Sequence, residues 1–282
     1  MLGAVACFPI MQSCVKTLVI DHNMSFMQAT WGRYFFHLLL VPILFPGTLR
    51  ALRDAKRLGL QLTRGVMLFL GTCAAFLALN YLPLPQVTAL SFIAPVLVTI
   101  LAALFLRESV GWRRWSAVIV GIFGVVVIVN PGAEFSLALL LPLTMAAFYS
   151  VYQVLTRALH ASSSAAVSLF FTAAVGAFAA TLLVPFWWQT PSPTGWMLLI
   201  GSALAGGFGH WLMILAYARA EASFIAPFAY TEIIWASALG YFLFSDTPSL
   251  RTCMGAIVIV ASGIYIADRE RRAQQRARQS TT

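Results

Sequence analysis

Long apolar runs, separated by short polar or basic segments, dominate the pattern of this chain. A helix that crosses hydrocarbon needs about 20 mostly apolar residues. Ten runs meet that description, at about 2–19, 27–46, 65–82, 86–106, 115–130, 136–156, 165–186, 195–218, 222–244 and 252–267. They are too long for barrel strands and do not alternate in period two, so the expected fold is all-α and integral to a membrane. Only two connections are long: the basic stretch around 47–64 and the tail after Asp268. The pattern therefore predicts one membrane domain with no soluble module.

Composition sharpens that picture. Hydrophobic residues make up 60% of the 282 residues and charged residues only 10%, against about 25% charged in soluble domains. A soluble enzyme, a disordered chain and a disulfide scaffold are all excluded on that ground. Cys7, Cys14, Cys73 and Cys253 lie in apolar stretches without CxxC or metal-ligand spacing, and read as small core residues.

The net charge of +9 gains meaning from its distribution. With a cytoplasmic N-terminus, the even-numbered connections and the tail face the cytoplasm. They carry Arg50, Arg53, Lys56, Arg57 and Arg64, then Arg107, Arg113 and Arg114, then Arg157, Arg219 and the tail arginines Arg269, Arg271, Arg272, Arg276 and Arg278. That is fifteen of the 18 basic residues; the opposite side has Lys16 and Arg251, and Arg33 falls inside a span. The positive-inside rule thus predicts ten helices, both termini cytoplasmic, in a bacterial-type inner membrane. The charge marks topology and gives no reason to expect a nucleic-acid partner. Trp31, Trp187, Trp188 and Trp196 fall at predicted outer ends, and Trp112 and Trp115 at an inner end, as interfacial belts require. The first run lacks a basic n-region and a small-x-small cleavage site, and is read as a helix rather than a signal peptide.

The two halves resemble each other. A shift of 138 residues aligns FLRES (105–109) with FLFSDT (242–247), Glu108 with Asp246, Arg113 with Arg251 and Ala117 with Gly255. A shift of 143 aligns LLVP at 39–42 with LLVP at 182–185. Each half holds five helices, an odd number, so the second is inverted in the membrane. The expected units are residues 1–134, 135–268 and a basic cytoplasmic tail, 269–282. Inverted repeats characterise secondary transporters, whose substrate sits near the midplane between the halves.

Ionisable side chains in hydrocarbon cost about 2.5–3.5 kcal/mol on insertion scales and so need a reason. Glu232 lies ten residues into the ninth run, near the midplane. It reads as a cavity carboxylate for a cationic or hydrogen-bonding substrate, as the carrier of a coupling proton, or as a structural acid between helices. Arg33 could snorkel outward, hold an anionic substrate group or pair with Glu232. His37 lies one turn beyond Arg33, and His210 lies beside Trp211 in the eighth run; each is a candidate site residue or a helix–helix hydrogen-bonding group. Gln12 and Lys16 share a face of the first run, and Tyr149, Tyr152 and Gln153 cluster in the sixth. With Tyr230, Trp211 and Trp235 they would suit a flat aromatic or heterocyclic solute by stacking and a few polar contacts, or they are packing aromatics. Gly121, Gly124 and the Gly201, Ala205, Gly209 series allow close helix approach. Pro95 and Pro227 are placed to kink the fourth and ninth runs.

A membrane enzyme would need clustered His, Asp or Glu, and neither HExxH nor a paired-acid motif occurs. A Walker motif is absent too, and nothing resembles a selectivity filter. Neither catalysis nor a cofactor or metal is expected.

Three stretches carry a family resemblance: RYFFHLLLVPILF (33–45), RGVMLFLGT (64–72) and ALSFIAPVLVTILAALFLRESVGWRRWSAVIVGIFGVVVIVNP (89–131). A fourth, APFAYTEIIWASALGYFLFSDTPSLRTCMGAIVIVASGIYIADRE (226–270), carries it in the second half. These resemble the drug/metabolite transporter superfamily, specifically its EamA-type members, and most of all the subgroup with S-adenosylmethionine and riboflavin uptake carriers. The spacing from Pro95 to Glu108, followed by the Gly-rich helix, is similar to the family pattern. Asp246 stands where many relatives carry Glu. The resemblance implies ten helices in 5+5 form and a secondary transporter of a small organic metabolite. The substrate is expected to be S-adenosylmethionine-, riboflavin- or aromatic-amino-acid-like, moved with a proton or counter-substrate, by a monomer or homodimer. A multidrug or metabolite exporter is the first alternative and a membrane-embedded enzyme the second.

Overall fold

The computed structural model describes residues 1–52, 55–105, 112–129, 136–159, 164–219 and 228–279. They form helices joined by short turns, with no strand among the described residues. In chain order these are α1 (Leu2–Ile20), α2 (Phe26–Leu44), the short α3 (Thr48–Ala51), α4 (Leu58–Ala78), α5 (Leu84–Ser91) and α6 (Ala94–Phe105). Next come α7 (Trp112–Val129), α8 (Leu140–Leu159), α9 (Ala165–Leu183), α10 (Pro193–Arg219), α11 (Glu232–Phe244) and α12 (Leu250–Gln279). Seven helical stretches of described residues are long and apolar enough to cross a membrane, and Trp115–Val129 and Glu232–Phe244 are shorter apolar helices. The remaining run corresponds to α2, whose 19 residues include the polar Gln28, Arg33 and His37.

Local chemistry sets several boundaries. Ser25 caps α2, its hydroxyl accepting from the Met27 and Gln28 N–H groups, and Ser164 caps α9 by accepting from Val167, which satisfies donors a helix start leaves open. Gln28 then closes a reciprocal pair with the Gln189 backbone, donating to its carbonyl at 2.7 Å and accepting from its N–H at 3.1 Å. That pair ties the start of α2 to the α9–α10 connection. Trp31, Trp188 and Trp196 gather there, with ring centroids 5.3–6.5 Å apart. Three of the four tryptophans expected at one interface thus meet at one end of the bundle, while Trp187 packs on Phe186 beside them in sequence.

Three features depart from the expected pattern. First, Arg64 lies inside α4 rather than in a loop, and is 1% exposed. It donates to the Thr172 hydroxyl at 2.7 Å, to Thr156 at 3.4 Å and to the Ser168 carbonyl, and its guanidinium lies 5.3 Å from the Tyr152 ring centroid. Hydroxyls and a carbonyl from α8 and α9 replace the water a loop would supply. Thr172→Val is expected to destabilise the fold by about 1.5–3 kcal/mol, the range for hydrogen bonds to a charged group, read as a fall in thermal unfolding midpoint in detergent. Second, α12 does not stop at Asp268 but runs on to Gln279, with an exposed Asp268–Arg272 pair at 2.8 Å. The last apolar run and the expected tail are one helix through that point, because the charged extension has strong helix formers and no breaker.

Third, the fourth run is broken. α5 ends at Ser91 and α6 starts at Ala94, with Phe92 and Ile93 in a turn whose N–H groups reach back three residues, to Ala89 and Leu90, at 3.3 Å. Pro95, which lacks a backbone donor, sits in the first turn of α6, where that donor is not needed. In the ninth run a turn at Tyr230 and Thr231 precedes α11; Pro227 lies outside the described residues. The turns at 92–93 and 230–231 are 138 residues apart, the shift that aligns the two halves. The Phe92 and Tyr230 rings meet edge to face, 5.2 Å between centroids.

The same spacing recurs where α7 packs on α12. The Ser262 hydroxyl donates to the Ala117 carbonyl at 2.5 Å, and Gly124 faces Gly255: a Cβ on Gly255 would meet the Gly124 carbonyl at 2.6 Å, and one on Gly124 would meet Ile259 at 2.7 Å and the Gly255 carbonyl at 3.0 Å. Adding 138 turns Ala117 into Gly255 and Gly124 into Ser262, so the two contacts exchange. Gly255→Leu would overlap Ile128 and the Gly124 carbonyl. It is expected to cost about 1–3 kcal/mol through overpacking, measured by the same thermal assay, while Gly255→Ala costs less.

Candidate substrate site

One face of α1 organises the polar groups. Phe8, Gln12 and Lys16 are spaced four residues apart and so stack along one side of a helix. Gln12 Nε2 donates to Glu232 Oε1 at 3.4 Å. Lys16 forms an ion pair with Asp246, just beyond the end of α11. Phe8 meets the His210 ring edge-on at 5.1 Å, and His210 stacks on His37 at 5.9 Å with an interplanar angle of 17°. This face therefore touches α10 and α11, and through His210 reaches α2.

Glu232 is the first residue of α11, directly after the Tyr230–Thr231 turn. A carboxylate there interacts favourably with the partial positive charge of the helix start. Gln12 donates to one of its oxygens; the acid keeps further acceptor capacity for a ligand. His37 is buried, and its Nε2 has no hydrogen-bond partner among the described residues. A buried imidazole nitrogen without a partner is costly unless a solute or water completes it.

Arg33 does not pair with Glu232. Its Nη1 donates to Thr72 at 3.1 Å, and its guanidinium lies 5.4 Å from the Tyr34 ring and 5.6 Å from Phe76. Tyr34 shares the Thr72 hydroxyl at 2.8 Å. Arg33 is thus held between α2 and α4, one turn from His37.

The other candidates fall elsewhere. Tyr149 and Tyr152 stack on each other at 5.7 Å on α8, with Tyr152 beneath Arg64 and Gln153 half-buried beside them. Tyr230 is buried, packed against Phe92 and over Gly263. Trp211 leans on the exposed Phe208 at 5.3 Å, and Trp235 is 45% exposed. The structure thus joins Glu232 to Gln12, and His210, with His37 stacked on it, to Phe8, both along one face of α1, with Arg33 one turn from His37. It adds Phe8, which the four-residue spacing below Gln12 would have flagged. Glu108, the sequence counterpart of Asp246, lies outside the described residues. Among the described residues no group of three or more His, Cys, Asp or Glu side chains is placed to hold a metal ion.

Comparison with known proteins follows the same division of the chain. The model of the EamA-like transporter family matches twice, over residues 1–130 and 136–267. A riboflavin transporter of Vibrio cholerae is 30% identical over 99% of this chain and 95% of its own length. An S-adenosylmethionine uptake transporter of Rickettsia felis is 28% identical over 91% of this chain and 87% of its own. A riboflavin transporter of Brucella anthropi is 27% identical over 86% and 87%. A solved crystal structure shares the fold with a TM-score of 0.63 at 16% identity, covering 96% of this chain and 97% of the other.

Proposed function

The chain belongs to the EamA-like transporter family, and from that premise we propose that it is a secondary carrier of a small organic metabolite, working by alternating access. It is a multi-pass membrane protein; in this reading it crosses a bacterial inner membrane ten times, with both termini cytoplasmic. Residues 1–134 and 135–268 act as two inverted five-helix halves. The double family match supports that division, as do the turns 138 residues apart and the exchanged α7–α12 contacts. Interrupted helices at corresponding positions of two inverted halves are where carriers bind their substrates.

The site lies at the Glu232 turn. Glu232 and Gln12 would receive a cationic or hydrogen-bonding group, Phe8 and the His37–His210 stack would face a flat ring, and Arg33 would position His37. Tyr149, Tyr152 and Gln153 on α8 would line the route at the other end. The single observation that carries this reading is the Gln12–Glu232 contact between α1 and a helix start at a break in the ninth run. Substrates named for the relatives, S-adenosylmethionine and riboflavin, combine a flat heterocycle with polar groups and fit such a site. Energy comes from a proton gradient, from exchange or from the substrate gradient alone.

Uptake into proteoliposomes, with S-adenosylmethionine, riboflavin, aromatic amino acids and cationic drugs offered in turn, tests the reading. Saturable accumulation of one class supports it. Conversion of a solute to a new product without net movement assigns an enzyme instead.

A further inference from the structure

The Lys16–Asp246 pair has no role in the substrate site above, yet it is among the most buried charge arrangements described. The Lys16 and Asp246 side chains are 5% and 14% exposed. Asp246 Oδ2 also accepts the Leu84 N–H at 2.9 Å, the first backbone donor of α5. The Lys16 ammonium lies 4.7 Å from the Phe244 ring centroid. Asp246 is itself fixed in place: its N–H donates to the Gly240 carbonyl at 2.9 Å and Ser245 takes a left-handed φ of 57°, a Schellman-type end to α11. One carboxylate therefore fastens α1, the start of α5 and the end of α11.

Those elements have a common relation to the two breaks. α5 runs from Asp246 to the break at 92–93, and α11 runs from the break at 230–231 back to Asp246. Both are the half-helices on one side of the interrupted positions, the side that also carries the Trp31–Trp188–Trp196 cluster. We propose that Lys16 and Asp246 form the bolt of an outer gate, closed in this structure, which must part for the pathway to open to the outside. This rests on the carrier reading and its outward placement of that end.

The physics suits a gate that cycles. A buried ion pair nearly breaks even as a whole, because desolvation offsets attraction, but removing one partner strands a charge in a low dielectric and disfavours the closed form. Each single neutral variant should therefore open the outer side, and the double neutral variant should close it again. General loosening of the bundle gives no such reversal.

Ser13, one turn before Lys16 on α1 and 5% exposed, provides the reporter. Ser13→Cys is placed in a background in which Cys7, Cys14, Cys73 and Cys253 are replaced, and labelled from outside intact cells with a membrane-impermeant maleimide. Slow labelling is expected in that parent and with Lys16→Arg. Lys16→Met and Asp246→Asn are each expected to label at least tenfold faster, and Lys16→Met/Asp246→Asn to return to within about threefold of the parent. Equal rates in parent and single variants overturn the proposal, as does a double variant as fast as the singles. If Asp246→Asn fails to reach the membrane, Lys16→Met against Lys16→Arg carries the test alone. Labelling needs no substrate, so a failed gate with intact uptake is distinct from a sound gate in a chain that moves nothing.

Discussion

Glu232→Gln is expected to reduce uptake by at least tenfold while leaving the amount of protein in the membrane unchanged. The substitution keeps the shape of the side chain and its hydrogen bond with Gln12, which an amide oxygen also accepts. It removes the negative charge at the start of α11 and any capacity to carry a proton. Hydrogen bonds to charged groups contribute about 1.5–3 kcal/mol, or roughly tenfold to more than a hundredfold in affinity at 1.4 kcal/mol per tenfold. If Glu232 binds a cationic group, the loss falls on apparent affinity. If it carries a coupling proton, exchange of substrate across the membrane survives while accumulation driven by a pH gradient disappears. Flux and pH dependence equal to wild type contradict both roles. Gln12→Leu, which leaves the carboxylate but removes its partner, is a milder companion.

Phe76→Ala is expected to have the largest effect on stability, about 3 kcal/mol. Phe76 is 1% exposed and belongs to the apolar cluster with Leu79, Leu82, Leu84 and Tyr230. Its ring also stands 5.6 Å from the Arg33 guanidinium. Phe-to-Ala changes in protein cores cost about 3–5 kcal/mol, part as lost transfer from water and part as the cavity left behind. In a bilayer the transfer part shrinks, since lipid is as apolar as the core, which points to the lower end. The cavity and the lost cation–π contact remain. A fall in detergent unfolding midpoint, with Phe76→Leu falling less, checks this; an unchanged midpoint contradicts the packing described for Phe76.

Much of the helical framework was legible because hydrocarbon demands long apolar runs, and composition satisfies that demand directly. The 138-residue shift was legible at Glu108 and Asp246, and it also relates contacts that residue identities alone do not reveal, such as Ala117–Ser262 and Gly124–Gly255. The breaks were only half legible. Pro95 and Pro227 mark the fourth and ninth runs for a kink, but an apolar run reads the same whether its helix is continuous or interrupted, so the sequence alone places Glu232 mid-helix although it begins α11. The sequence places Arg64 in a loop because the stretch at 50–57 before it is basic. Its hydroxyl partners on α8 and α9 are about a hundred residues away in sequence. Aromatics were the least legible: Tyr230 is packed over Gly263 while Trp235 is exposed, and nothing in either local sequence separates those fates. The stripe of Phe8, Gln12 and Lys16 was visible in part, since helical spacing alone joins its members.

Counterflow reports whether this chain carries a solute across the membrane through a site at Glu232. Sealed proteoliposomes are loaded with unlabelled S-adenosylmethionine or riboflavin and diluted into a trace of the labelled compound. With wild-type protein, label is expected to rise transiently above its equilibrium level for one of them, and Glu232→Gln to change this overshoot by at least tenfold or sever its response to pH. No overshoot with either compound or with the wider solute panel, or an overshoot of the same size and pH response in Glu232→Gln, contradicts transport through that site.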